Sequence, residues 1–205
     1  MKIEKKNIFM GIFFLVIFVL IIIRNIYFGV SQYSFYWYCN FVAPMFAFGF
    51  ILNKKAFLQS LTYIGFFPQL FFLLSLPIVL IFNVTIIGIS PVIKTYHWVF
   101  LVISLIIHIS YVMMLIFTLD VKPSRKSLII SSVLLILIYL ISYVFTPISE
   151  NVNYIYFLNS VFNNNNLSLL WLPISFIGIV IPTYFLQKCI YNRRLKRANS
   201  SYHEH

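Results

Sequence analysis

Six runs of about 20 mainly apolar residues divide the chain, and that is the length needed to cross the hydrocarbon core of a bilayer as an α-helix. They cover Ile8–Phe28, Phe35–Leu52, Leu61–Phe82, Trp98–Leu119, Leu128–Phe145 and Leu169–Leu186. None is built from the short alternating segments of an outer-membrane barrel. The expected fold class is therefore all-α: one polytopic domain over residues 1–205 with six transmembrane helices, ending in a basic tail over 187–205. A soluble reading fails on composition. Charged residues make up 9% of the chain, against about 25% in ordinary soluble domains, too few to dress an aqueous surface. The first run has the look of a secretory signal. Without a small-residue cleavage site, and with five more runs behind it, it is expected to be retained.

The distribution of Lys and Arg gives the expected orientation. Lys2, Lys5, Lys6, Lys54, Lys55, Lys122, Arg125, Lys126, Lys188, Arg193, Arg194, Lys196 and Arg197 fall on one side of the alternating runs. Only Arg24 and Lys94 fall on the other. Positive residues collect in cytoplasmic loops, so both termini are expected in the cytoplasm of a multi-pass cell-membrane protein. The tail "YNRRLKRANS" is a topology anchor beside anionic headgroups. Despite a net charge of +11, the expected partners are membrane lipids and not nucleic acid. The sequence identifies no protein partner.

Ionisable residues inside a bilayer are costly and point to function or to enclosed polar contacts. His108, in "LIIHISYV", stands about ten residues into the fourth run, or about 15 Å deep. Cys39, in "SFYWYCNF", begins the second run on the same membrane half. Alone, such a cysteine is a small hydrophobe; beside an imidazole it becomes a nucleophile. His97 competes as the partner base, although Tyr96 and Trp98 mark it as an interfacial anchor. Gln69, near His108 in expected depth, either orients the imidazole, stabilises an oxyanion, or bonds between helices. Asn40 is open to the same readings. Pro44 offers a kink one turn after Cys39.

Other chemistries are disfavoured. Glu4, Asp120, Glu150 and Glu204 all lie outside the apolar cores, which leaves no paired carboxylates or carboxylate metal site in the bilayer. No zinc or phosphate-loop motif occurs, and neither a metal nor another cofactor is expected. Cys39 and Cys189 sit near opposite membrane faces, too far apart for a disulfide.

The segments "FYWYCNF", "HISYVMMLIFTLDVKPSRKSL" and "NVNYIYFLN" resemble the cysteine, histidine and Asn-Tyr segments of the bacterial YwaF family of integral membrane proteins. That family is related to eukaryotic transmembrane acyltransferases acting on ether phospholipids. It is more distantly related to androgen-induced-gene-type lipid hydrolases. The resemblance implies that Cys39 accepts an acyl group and His108 is the general base, with Asn153 and Tyr154 in supporting positions. Two functional expectations follow: a lipid acyltransferase or hydrolase using Cys39 and His108, or a non-catalytic binding or transport component in which His108 is a ligand or proton site.

Overall fold

The computed structural model describes residues 5–82, 98–150, 152–154 and 167–202. The described residues form helices and turns, with no strand among them. The helices are α1 (Lys5–Tyr27), α2 (Tyr38–Ile51), α3 (Lys55–Phe82), α4 (Trp98–Thr118), α5 (Arg125–Phe145), α6 (Leu167–Ser175) and α7 (Ile181–Tyr202). A π-helical turn, Phe176–Val180, joins α6 to α7. Short 3-10 turns occupy Gln32–Tyr36, Ile148–Glu150 and Val152–Tyr154.

Local sequence accounts for several boundaries. Gly29 adopts φ +59° just past α1, while the Val30 N–H donates to Asn25 O over 2.9 Å, a left-handed helix stop that glycine suits. Asn53, at φ 50°, ends α2 in the same manner as the Lys54 N–H donates to Gly49 O at 2.8 Å. At the start of α5, the Ser124 side chain caps the Ser127 N–H.

Five helical segments are long and apolar enough to cross a membrane: Lys5–Tyr27, Lys55–Phe82, Trp98–Thr118, Arg125–Phe145, and Leu170–Arg197 through the π turn. The second expected run differs. A 3-10 turn and extended Trp37 take up its start, leaving a helix of 14 residues, about 21 Å long. Pro44 lies inside α2, which continues through it. The helix is central to the bundle, with Val42, Ala43, Phe46 and Ala47 almost wholly enclosed.

Helices α1 and α2 run antiparallel. Asn7 Nδ2 donates to Asn53 Oδ1 at one end, Phe14 stacks on Phe46 midway, and Arg24 meets Asn40 at the other end. Helices α3 and α4 are also antiparallel. Gln59 Nε2 donates to Val121 O just beyond α4, and Phe72 stacks on His108 further along. At the Asn7 end of the bundle, Gln187 Nε2 donates to Thr118 O and Arg194 pairs with Asp120 at 3.0 Å. The opposite end gathers Arg24, Asn40, Ser104, Ser142, Asn153 and Trp171. Lys5 and Lys6 begin α1, Lys54 and Lys55 lie at the α2–α3 connection, and Lys122, Arg125 and Lys126 lie where α4 connects to α5.

Small residues permit the closest approaches. A Cβ on Gly65 of α3 would lie 2.7 Å from the Tyr38 ring, so glycine there makes room for the tyrosine that begins α2.

Candidate functional site: a buried arginine cluster

Arg24, in the last turn of α1 and only 5% exposed, is the hub of a buried polar cluster at its end of the bundle. Its Nη1 donates to Ser104 Oγ at 3.0 Å. Nη2 donates to Asn25 Oδ1 at 2.8 Å and Asn40 Oδ1 at 3.0 Å, and Nε to Asn25 Oδ1 at 3.1 Å. The guanidinium carbon lies 4.6 Å from the Phe100 ring centroid, within cation–π range. A permanently charged group is thus held between α1, α2 and α4 by hydrogen bonds and an aromatic face. These contacts offset a burial that would otherwise be costly.

The cluster extends outward from those acceptors. Asn25 Nδ2 donates to Ser34 Oγ at 2.9 Å, and Asn40 Nδ2 to Ser34 O at 2.6 Å. Cys39, half-buried, directs Sγ at Asn40 Oδ1 over 3.8 Å. Its carbonyl accepts from the Tyr111 hydroxyl at 2.7 Å. His108 Nδ1 lies 2.6 Å from Ser104 O. A carbonyl only accepts, so Nδ1 carries the hydrogen, and in the neutral form of the ring Nε2 is then the acceptor. Phe72 stacks on this imidazole with centroids 3.7 Å apart. Ser104 therefore touches both Arg24, through its hydroxyl, and His108, through its carbonyl.

Cys39, Asn40 and His108 share one network, but Cys39 and His108 make no hydrogen bond to each other. Gln69 is buried on α3, one turn before Phe72, and its Oε1 has no hydrogen-bond partner among the described residues. Asn153 stands apart from Arg24. Its Oδ1 accepts the Tyr38 N–H at 2.9 Å, its Nδ2 donates to Tyr36 O and Ser142 Oγ, both at 2.9 Å, and its carbonyl accepts from Trp171 Nε1 at 2.8 Å. His97 and the Tyr154 side chain lie outside the described residues. No group of three or more His, Cys, Asp or Glu among the described residues is arranged to hold a metal.

Arg24 and Asn25 are the functional candidates that sequence reasoning missed. Arg24 served only as a loop charge there, although it fell four residues inside the first apolar run. The usable signal was an Arg-Asn pair closing one span and an Asn opening the next, which antiparallel packing brings to one level.

Five long apolar helices in so short a chain fit a multi-pass membrane protein. No protein-family model, curated protein or solved structure matches the chain.

Proposed function

We propose that the chain is an integral membrane protein crossing six times, with both termini cytoplasmic, that binds a membrane-borne ligand without catalysis at the α3–α4 seam. The six-crossing topology draws support from α2, whose two ends reach the levels of Asn7 and Arg24. The positive-inside rule supplies the orientation. One observation carries the ligand reading: Gln69 Oε1 is buried without a partner among the described residues, one helical turn from the phenylalanine stacked on His108. Buried acceptors are costly when unpaired, and His108 Nε2 adds a second acceptor that bonds no described residue. A ligand bearing a hydrogen-bond donor would satisfy either acceptor.

Acyl transfer through Cys39 is the second reading, favoured by an apolar cavity that begins at the neighbouring Tyr38. The thiol would lose its proton to His108, attack an ester carbonyl to form a thioester, and expel an alcohol that takes up that proton. Helix movement would have to bring the two side chains together.

Mass spectrometry separates the readings. Organic extracts and intact masses are compared for wild type, Cys39→Ala and His108→Ala purified in mild detergent. Binding without catalysis expects a compound that wild type and Cys39→Ala retain and His108→Ala loses. A hydroxylamine-labile acyl adduct on Cys39 would establish the second reading instead. The first is overturned if wild type retains no compound, or if every compound it retains is kept equally by His108→Ala.

A further inference from the structure

We infer that a groove between α2 and α5 holds one acyl tail of a membrane phospholipid. The groove encloses a cavity of about 190 Å³. Tyr38, Phe41 and Met45 of α2 form one wall, and Leu134, Leu137 and Ile141 of α5 the other. Both walls are helical stripes spaced by three or four residues, so each runs along its axis for about 10 Å. The chemistry is apolar throughout. The Tyr38 hydroxyl is committed to Leu61 O, leaving nothing in the lining to hold a water, which needs two or more polar partners.

Dimensions select the occupant. Spread over about 10 Å of helix rise, the volume gives a mean section of about 19 Å², a slot with room for one slender unbranched chain. A partner helix, with side chains about 10–12 Å across, is far too wide. The groove opens sideways, where Leu137 is 46% exposed and Ile141 38%, onto the surface that faces hydrocarbon in a spanning bundle. At the Tyr38–Ile141 end it meets the polar layer of Asn153 and Ser142. A lipid entering from that end keeps its ester region level with this layer and its tail directed toward the middle of the bundle. In the proposed orientation this is the outer leaflet.

The inference rests on the membrane reading but not on His108, and His108→Ala should leave groove occupancy unchanged. The test is native mass spectrometry of protein reconstituted in dioleoylphosphatidylcholine bilayers and extracted with increasing detergent. Wild type is expected to keep one phospholipid per chain after bulk lipid is gone, and Leu137→Trp, which fills the mouth, is expected to lose it. Ile129→Trp, on the same helix at a position 65% exposed and outside the groove, should behave as wild type. If Leu137→Trp does not fold, Ile141→Trp replaces it. Retention by the mouth variant, equal loss from Ile129→Trp, or no retained lipid in wild type overturns the assignment.

Discussion

Asn153 offers the sharpest test of how the bundle is held at the arginine end. The extended residue before α2, Trp37, makes no side-chain cap. The first turn is capped instead by Asn153, 115 residues away, whose Oδ1 accepts the Tyr38 N–H. Losing a cap costs about 1 kcal/mol, and losing the two amide donations to Tyr36 O and Ser142 Oγ costs about 1 kcal/mol each. Asn153 also sits at φ 55°, where alanine adds about 1 kcal/mol of backbone strain. Asn153→Ala is therefore expected to destabilise by about 4 kcal/mol in all. Asn153→Asp keeps the cap and a left-handed tolerance, and should cost about 2 kcal/mol. Equilibrium unfolding in mixed micelles measures the total. Maleimide labelling of Cys39, in a Cys189→Ser background, reports the first turn of α2 separately. Loss of the cap alone should speed labelling about fivefold, in Asn153→Ala but not in Asn153→Asp. The reasoning fails if Asn153→Ala unfolds within about 0.5 kcal/mol of wild type and Cys39 labels at an unchanged rate.

Three further outcomes are expected. Ser104→Ala removes an acceptor from the buried Arg24 guanidinium and should cost about 1–3 kcal/mol in the same unfolding assay; an unchanged midpoint would mean Ser104 is dispensable to the cluster. Gly65→Ala drives a Cβ to 2.7 Å from a Tyr38 ring anchored by its hydroxyl, an overpacking expected to cost about 1–3 kcal/mol. Gly178→Ala meets open space and should stay within about 0.5 kcal/mol of wild type, so equal effects of the two would contradict the packing. Cys189 is exposed on α7; with cytoplasmic termini, a membrane-impermeant maleimide should label it in inverted vesicles and not in intact cells.

The helical class was readable because apolar runs of membrane-spanning length leave few alternatives. Helix α4 covers Trp98–Thr118, where an apolar run was expected over Trp98–Leu119, whereas α3 begins at Lys55, six residues before its run. The start of α2 was not readable in the same way. Hydropathy cannot distinguish a 3-10 turn rich in aromatics from the helix it precedes, and the cap that fixes the true start comes from Asn153, far along the chain. The candidate site shows the same limit. His108 and Cys39 stood out as single residues, but the contacts that define their chemistry, Ser104 O for one and Asn40 Oδ1 for the other, depend on packing.

Arg24 shows why counting charges and locating them are different problems. A cation near the end of an apolar run can leave lipid by entering the aqueous loop or by entering a seam lined with acceptors. Hydropathy treats both as escape from hydrocarbon. The discriminating feature is whether acceptors stand at the same depth on neighbouring helices. Asn25 and Asn40 lie only 1 and 16 residues away, across one tight connection, so half of this arrangement could be inferred from two spans and a short turn. Ser104 lies 80 residues away, and its pairing required knowing that α4 packs beside α1. Once paired, Arg24 ties three helices at a single level, and the charge that seemed to mark only topology becomes the group around which Cys39, Asn40 and His108 are organised.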